Sequence, residues 1–292
     1  MKPRVVLVTN ALTPYRIPLF NRLAQSRKYE FLVLLLAKQE ANREWKLDLK
    51  RVEFDYEIVP GVHYFIRRWD APMHFSWGLF SWLWLHRPDV VITPETLTYS
   101  GVLLYRWAFR KSHIVWAGTT KASAPRDVGV WLRRRLIRGA VACVAYGTKS
   151  AEWLESMGAN KRAIHVGVNT VDVEFFSRAT EQYRNDPNFA KKRSSYPPML
   201  LIFVGRLERR KGLSVLLDAL RLLGDPEIGL LVVGNGSNAR ELRQAAEGIP
   251  GVEFVGYKQQ DELVQYLALA DVFVFPSLQE PWGLVVNEAL AS

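Results

Sequence analysis

The sequence is poor in cysteine and has no long apolar run. Its 292 residues include one cysteine, Cys143, which excludes an intrachain disulfide framework and a zinc site built from several thiolates. Because Cys143 lies in the apolar run VACVAY, we expect a core thiol and not a nucleophile. No stretch approaches the roughly 18–20 apolar residues that a membrane-spanning helix needs. The start, MKPRVVLVTN, is too short an apolar run for a signal peptide, so we expect a cytoplasmic protein, either free or peripheral on the cytoplasmic face of the membrane.

Signatures of two further protein classes are also missing. The five histidines show no metal-ligand spacing, so we expect no metal site. The first strand–helix turn, TNALTPYR, has no G-x-G-x-x-G, which disfavours a dinucleotide oxidoreductase. The basic residues belong to no recognised nucleic-acid-binding module, and we expect no nucleic-acid partner.

Acidic residues are scarce in the first part of the chain. Residues 1–180 carry 27 Lys and Arg against 15 Asp and Glu, whereas residues 181–292 carry 12 against 14. This asymmetry indicates an amino-terminal domain that faces an anionic partner, such as a membrane surface or a phosphorylated lipid. The alternative is a set of scattered, solvated arginines.

One apolar segment bears on the same question. The stretch Phe75–Leu85, FSWGLFSWLWL, is dense in Trp, Phe and Leu and is flanked by Arg67, Arg68 and Arg87. It predicts either a buried helix or a helix that lies in a membrane interface with cations beside it.

Short apolar runs alternate with longer amphipathic runs along the whole chain. This pattern predicts βα units and parallel sheets. A polar, proline-containing stretch interrupts it, so we predict two Rossmann-like α/β domains, residues 1–176 and 199–292, joined by a linker at 177–198. In such sheets ligands bind beyond the carboxyl ends of the strands, and the residues that follow each strand become the candidates for function.

Cations and glycines follow the first three strands of the second domain. The segment GRLERRKG places Gly205, Arg206 and Lys211 at the start of a helix, an arrangement suited to a diphosphate or another dense anion. The segment GNGSN contributes Gly234 and Gly236, which leave room for a ligand near the backbone. The next strand ends at Gly256 and Tyr257.

Two glutamates follow the last predicted strand, in the segment QEPWGLVVNEALAS. Pro281 disfavours helix at Glu280, and Gly283 suits a helix start. We therefore expect Glu280 in a loop and Glu288 inside a helix, so that both carboxylates reach one ligand from different directions.

Together these residues resemble glycosyltransferase family 4, nucleotide-sugar enzymes with the GT-B fold of two Rossmann-like domains facing a cleft. The resemblance rests on FVGRLERRKG, VVGNGS and VFVFPSLQEPWGLVVNEALAS, the last of which is similar to the family's E-x7-E motif. It implies that Arg206 and Lys211 hold the donor diphosphate, and that Gly205, Gly234, Gly236, Gly256 and Tyr257 lie near the nucleotide. It further implies that Glu280 and the backbone around Trp282, Gly283 and Leu284 bind the donor sugar, and that Glu288 binds the ribose.

The resemblance also implies a retaining transfer that needs no cofactor or metal. A nucleoside diphosphate leaves without a strong acid, but charge develops on its phosphate oxygens, and fixed cations stabilise that charge. We therefore expect Arg206, Lys211 and Glu280 to act in catalysis, with the glutamates as binding groups and not as the acid and nucleophile of a glycosidase. The donor base is left open among UDP, GDP and ADP.

The acceptor side of the first domain departs from the family pattern. The turn WAGTTKASAP has threonines where many relatives have a histidine or an acid, so the candidates are Thr13, Arg16, Glu95 and Thr119. We expect a glycan or a lipid-linked acceptor.

Two other functions remain open, a nucleotide-sugar-binding protein or inactive fragment without turnover, and a nucleotide-sugar epimerase. The second domain is shorter than the family's, so we expect the chain to be incomplete at its carboxyl end.

Overall fold

The computed structural model describes residues 2–40, 44–66, 71–96, 99, 101–120, 128–280 and 282–292. The chain divides into two compact units, Met1–Asn169 and Thr170–Ser292. Each unit is built on its own parallel sheet, as the alternation of apolar and amphipathic runs predicts.

The first unit contains a seven-stranded parallel sheet and a separate two-stranded hairpin. In the sheet the strands follow the order β3-β2-β1-β6-β7-β8-β9, and β4 pairs with β5. Along the chain the strands are β1 (Arg4–Thr9), β2 (Glu30–Leu35), β3 (Asp55–Ile58), β4 (Val62–Ile66), β5 (Ala71–Phe75), β6 (Val90–Pro94), β7 (Ser112–Ala117), β8 (Ala142–Ala145) and β9 (Ile164–Val166).

The helices of the first unit cover both faces of its sheet. They are α1 (Ile17–Ala24), α2 (Trp77–His86), α3 (Gly101–Phe109), α4 (Val128–Arg138) and α5 (Thr148–Ser156). Leu7 of β1 packs in one core with Phe20 of α1, whereas its neighbours Val6 and Val8 pack with Leu79 and Leu83 of α2. Since successive strand residues point to opposite faces, α1 lies on one face and α2 on the other.

The sequence pattern did not predict the β4–β5 hairpin or strand β9. In the hairpin His63 stands directly opposite His74, in an antiparallel register. Strand β9 is only three residues long and half exposed, so neither element carries the buried apolar run by which the other strands were found.

The second unit begins with two helices, α6 (Val173–Arg184) and α7 (Phe189–Arg193). Four parallel strands follow in the spatial order β12-β11-β10-β13. The strands are β10 (Met199–Val204), β11 (Ile228–Val233), β12 (Val252–Gly256) and β13 (Val272–Phe273), and the remaining helices are α8 (Leu213–Leu223), α9 (Ala239–Ala245), α10 (Gln260–Leu269) and α11 (Leu284–Ala291).

Two cores sandwich the second sheet. Leu200, Ile202 and Val204 of β10 pack against α6, α10 and α11. The alternate residue Phe203 packs against α8 and α9 on the opposite face. This alternation is the one expected of a central parallel strand with helices on both sides.

The boundary between the units differs from the predicted one. The predicted linker at 177–198 is largely helical, and the division lies between Asn169 and Thr170. Phe176 is fully buried in the second core, and Thr180 donates a hydrogen bond to its carbonyl. Polar composition had indicated a linker because α6 and α7 bury only a few of their residues and expose many charges.

None of the helices in the described ranges combines the length and the apolar composition that a membrane span requires.

Replacing Phe176 tests this boundary. Phe176→Ala empties a fully buried site, and we expect it to lower the free energy of unfolding by about 3–5 kcal/mol. Urea denaturation followed by circular dichroism measures the change. The matched control on the same helix is Val173→Ala, whose side chain is 54% exposed, and it should change stability by less than about 0.5 kcal/mol. Equal effects of the two changes would contradict the packing of α6 in this core.

Candidate functional site

Backbone hydrogen bonds join the turns at the carboxyl ends of β10, β11 and β12. The amide of Gly205 donates to the Val233 carbonyl at 3.0 Å, and the amide of Gly234 donates to the Gly256 carbonyl at 2.8 Å. Leu207 donates to the Asn235 carbonyl at 2.9 Å. The three glycine-containing turns predicted from the sequence therefore lie side by side at one edge of the sheet.

The glycines of the GNGSN turn are required by close backbone packing. A Cβ atom on Gly234 would lie 1.9 Å from the Gly205 carbonyl oxygen, and one on Gly236 would lie 2.6 Å from the backbone of Leu207. Gly234 also has a φ of 140°, which L-residues rarely adopt. Sequence reasoning assigned these glycines to the approach of a ligand, whereas in the structure the neighbouring turn occupies that space.

The loop after β13 packs against the turn after β10. A Cβ atom on Gly212 would lie 2.1 Å from the Pro276 carbonyl oxygen, and the Leu278 amide donates to the Arg210 carbonyl at 2.9 Å. Gly212 caps α8 with a φ of 70°. These contacts bring Glu280 to the cations of the preceding turn.

Two of the predicted binding cations contact carboxylates within this edge. Lys211 forms an ion pair with Glu280, and the two side chains are only 12% and 19% exposed. Arg206 Nε lies 2.7 Å from Glu208 Oε1, and Arg210 Nε lies 2.7 Å from Glu208 Oε2. Arg209 is 86% exposed, and Arg210 is 45% exposed while it contacts Glu208. The edge thus holds a partly buried group of alternating charges.

Helix α11 begins where the sequence places it. Gly283 precedes its first residue, Leu284, with a φ of 78°, and a Cβ atom there would lie 2.9 Å from the Phe275 ring. Trp282 Nε1 donates to Asn287 Oδ1 at 3.0 Å, which ties the loop to the helix. Pro281, whose effect on Glu280 was part of the prediction, lies outside the described residues.

Glu288 lies inside α11, as predicted. Burial raises the pKa of its carboxyl to about 7. A carboxyl with this pKa is partly protonated near neutral pH, so it can donate as well as accept a hydrogen bond.

Gly256 and Tyr257 close the third turn. Gly256 has a φ of 77° and open space around its Cα, so its backbone conformation, and not crowding, favours glycine. Tyr257 is 37% exposed and lies directly after the Gly256 carbonyl that accepts the Gly234 amide.

Arg16 is the centre of a polar group in the first unit. Its guanidinium donates to Thr9 Oγ1 at 3.1 Å and to the Tyr146 hydroxyl at 2.7 Å, and it lies 5.1 Å from the centroid of the Trp116 ring. Thr13 accepts the Arg16 amide through its carbonyl. The Thr13 hydroxyl oxygen is buried and has no hydrogen-bond partner among the described residues.

The structure also brings Glu95 and Thr119 together. Glu95 is 8% exposed, and its Oε1 accepts from the Thr119 hydroxyl at 2.6 Å and from the Thr119 amide at 3.2 Å. Both residues follow strands of the same sheet, β6 and β7. Such positions are candidates because ligands bind beyond the carboxyl ends of parallel strands. The rest of that turn, residues 121–127, lies outside the described residues.

Sequence reasoning missed three contributors to these groups. Glu208 bridges two arginines of the turn after β10. Tyr146 directly follows β8, and Asn10, which accepts from the Tyr99 hydroxyl at 2.5 Å, directly follows β1. The rule that residues after strands carry function would have selected Tyr146 and Asn10. The pairing of Glu208 depends on side-chain conformations that spacing does not reveal.

Four of the histidines have partners within the first unit, including the Trp82 carbonyl for His86. His113 is buried and its Nε2 lies 2.9 Å from Thr93 Oγ1, and burial lowers its pKa to about 4. His63 and His74 contact each other through Nδ1 atoms at 3.0 Å. Across the described ranges no group of three or more His, Cys, Asp or Glu side chains is placed to hold a metal ion.

Alanine at Gly234 tests the close packing of the turns. We expect Gly234→Ala to lower the free energy of unfolding by more than about 2 kcal/mol, because it combines backbone strain with overlap on the Gly205 carbonyl. The control, Gly248→Ala, shares a positive φ, of 78°, but meets no atom within 4 Å. It isolates the strain and should cost about 1 kcal/mol. Urea titration of both variants decides the matter, and equal losses would contradict the packing argument.

The pKa of Glu288 predicts a pH-dependent stability. The folded protein keeps this proton up to about pH 7, whereas the unfolded chain loses it near the ordinary value of 4.5. Between these values the folded state binds more protons, so the free energy of unfolding should fall as pH rises. Glu288→Gln should flatten that decline, while Glu247→Gln, at an exposed position just after α9, should leave it unchanged. Urea midpoints between pH 5 and 8 that respond equally to both changes would refute the assignment.

Comparison with known proteins finds a family similarity for the last 108 residues of the chain. Residues 185–292 match the family model described as "Glycosyl transferases group 1". A sulfoquinovosyl transferase of Arabidopsis thaliana is 42% identical over 93 residues, which cover 32% of this chain and 18% of that protein. A phosphatidyl-myo-inositol mannosyltransferase of Mycobacterium leprae is 28% identical over 81% of this chain and 58% of its own length. The chain therefore spans less than two thirds of these relatives.

The fold is shared with solved glycosyltransferase structures. HepE of Anabaena in complex with UDP has a TM-score of 0.73 at 16% identity, over 100% of this chain and 78% of that one. This likeness confirms the predicted fold class, the GT-B fold with two Rossmann-like parallel-sheet units. The matched residues, 185–292, include the glycine turns, Lys211, Glu280 and Glu288, and this part of the chain is similar to the group 1 glycosyl transferases.

Proposed function

We propose that this chain is a retaining glycosyltransferase that moves a sugar from a nucleotide-diphosphate sugar to a hydroxyl of a glycan or lipid-linked acceptor. The observation that carries the proposal is the group of Arg206, Lys211 and Glu280 at the carboxyl edge of the second sheet. Its place in the fold is the one where parallel sheets bind ligands. The family match of the same residues supports it.

The cations fit the leaving group of this reaction. When the bond between the anomeric carbon and the diphosphate breaks, negative charge grows on the departing phosphate oxygens. Arg206 and Lys211 lie on one turn and are partly withdrawn from water, with Lys211 only 12% exposed, so once they face the diphosphate they stabilise that charge from fixed positions. We propose that the diphosphate takes the place beside Lys211 that Glu280 holds in the structure.

The glutamates then serve as binding groups. A Glu280 carboxylate released from Lys211 accepts hydrogen bonds from sugar hydroxyls, with the backbone of Trp282, Gly283 and Leu284 beside it. Glu288 faces the ribose in this proposal, and its partly protonated carboxyl suits a hydroxyl that donates or accepts. Gly205, Gly234, Gly236, Gly256 and Tyr257 border the nucleotide.

The acceptor belongs to the first unit in this proposal. Arg16 and the Glu95–Thr119 pair supply a cation and a carboxylate after neighbouring strands. The Thr13 hydroxyl, which lacks a partner among the described residues, is a group that an acceptor hydroxyl can satisfy.

The proposal includes a donor of the UDP, GDP or ADP type, no metal or other cofactor, and no nucleic-acid partner. Arg206 and Lys211 supply the positive charge that a divalent ion supplies in other transferases. The proposal locates the protein in the cytoplasm, either free or on the cytoplasmic face of the membrane. HepE was solved with UDP, which makes UDP-sugars the first donors to test.

Nucleotide release from a panel of UDP-, GDP- and ADP-sugars tests this function. We expect one donor series to give turnover, and Arg206→Ala and Lys211→Ala to reduce kcat by about 10²–10³-fold, as removal of one charge-stabilising group does elsewhere. Arg209→Ala is the matched control, because this neighbour is 86% exposed, and it should stay within about twofold of the unchanged protein.

The same assay separates the alternatives. Donor binding without nucleotide release, in this chain and in a longer protein that contains it, would favour a binding protein. A changed sugar formed without any acceptor would identify an epimerase. Loss of turnover on adding EDTA would contradict the metal-free part of the proposal, and an equal loss in Arg209→Ala would contradict the roles of Arg206 and Lys211.

A further inference from the structure

Three neighbouring helices of the first unit expose large apolar side chains. On α2 Trp84 is 47% exposed and Leu85 is 77% exposed, and on α3 Leu104 and Trp107 are 61% and 83% exposed. On α4 Trp131 is 55% exposed. We refer to these five residues and the arginines around them as the α2–α4 face.

These side chains are not the ones that build the core. Leu79 and Leu83 of α2 and Val102 and Tyr105 of α3 pack in the core against the sheet, and each is at most 2% exposed. The outer residues therefore add an apolar surface that folding of the described part of this unit does not use. Exposed patches of this size and composition mark interaction sites.

The α2–α4 face carries charge of one sign. None of the three helices contains Asp or Glu, whereas α3 contributes Arg106 and α4 contributes four arginines. Arg87 and Arg110 follow the ends of α2 and α3 directly, and both are exposed. Two carboxylates border the face and already have partners: Asp89 binds Lys111 at 2.6 Å, and Glu57 accepts from Trp82 Nε1 at 2.7 Å.

The three helices form one continuous surface. The Trp84 and Phe109 rings are 4.6 Å apart between centroids and join α2 to α3, and the Arg87 guanidinium lies 4.9 Å from the Phe109 ring. The Arg106 side chain of α3 lies against Gly139, just past the end of α4. Arg135 lies 4.9 Å from the ring of Trp131. Aromatic rings and arginines therefore alternate across the face.

We propose that the α2–α4 face docks this protein on an anionic membrane surface. Tryptophan prefers the boundary between lipid headgroups and acyl chains, where its ring is apolar and its N–H is hydrated. Arginines at the same depth bind lipid phosphates, and their attraction adds to the apolar contact. The sequence left open a buried helix or such an interfacial helix for Phe75–Leu85 alone, and in the structure the exposed apolar surface also includes α3 and α4. This proposal is independent of the transfer reaction.

Flotation with vesicles tests the docking. The 292-residue chain is mixed with phosphatidylcholine vesicles with or without about 30% phosphatidylglycerol, at about 0.05 M salt, where the Debye length is about 14 Å. We expect binding to the anionic vesicles only, with a loss of binding at about 0.5 M salt. Bromine-labelled lipid should quench tryptophan fluorescence in the bound protein.

Variants locate the contact. Leu85→Glu and Trp107→Glu should abolish flotation, whereas the matched control Leu222→Glu, at an 89% exposed position on α8, should not. Arg110→Gln and Arg134→Gln should each weaken the vesicle partition coefficient by about fivefold, while Arg240→Gln on α9 should leave it unchanged. Because every position is exposed, circular dichroism should report unchanged folding.

Three outcomes would overturn the proposal. The first is no flotation of the unchanged protein with anionic vesicles at low salt. The second is an equal loss of flotation in Leu222→Glu and Trp107→Glu, which would show that the α2–α4 face is not the membrane contact. The third is a concentration-dependent oligomer that Trp107→Glu dissociates, without lipid binding, which would make the face a protein interface. Nucleotide release in solution is scored separately, so a failure here leaves the transferase proposal intact.

Discussion

The second unit depends on how closely three backbone turns approach one another at the carboxyl edge of its sheet. Gly234 and Gly236 have no side chain because the neighbouring backbone lies where a Cβ atom would be, and the turns are joined by hydrogen bonds of 2.8–3.0 Å. Buried backbone groups must find partners, and here each turn satisfies the next. The loop after β13 joins them through Gly212, and so the position of Glu280 follows from contacts among residues that carry no charge.

Much of the fold could be predicted because its central strands are buried on both faces. The alternation of apolar and amphipathic runs correctly predicts parallel sheets with helices between their strands, and each unit has such a sheet. The hairpin β4–β5 and strand β9 were missed because short, exposed strands have no periodic apolar signal. The helices α6 and α7 were taken for a linker, since composition averages over a helix and conceals the few residues, such as Phe176, that anchor it.

The candidate site was predictable in its residues but not in its pairings. Spacing after the strands placed Arg206, Lys211 and Glu280 at one edge, and the structure brings Lys211 and Glu280 into contact. That Glu208 lies between Arg206 and Arg210 depends on side-chain rotamers within one turn, which no pattern of residue types encodes. The raised pKa of Glu288 depends on burial of its carboxyl in the folded unit, which the composition of the segment does not predict.

Because Lys211 and Glu280 form an ion pair, a ligand that binds either residue must replace the other as its partner. A bare anion that bound Lys211 would leave the Glu280 carboxylate, only 19% exposed, without its counter-ion, and desolvated charges are costly when unpaired. A molecule that offers an anion to the lysine and hydroxyl donors to the glutamate satisfies both ends at once. The ion pair thus favours ligands that carry both an anion and hydroxyl donors. Small free anions such as inorganic phosphate should bind only weakly here, although several cations lie close by.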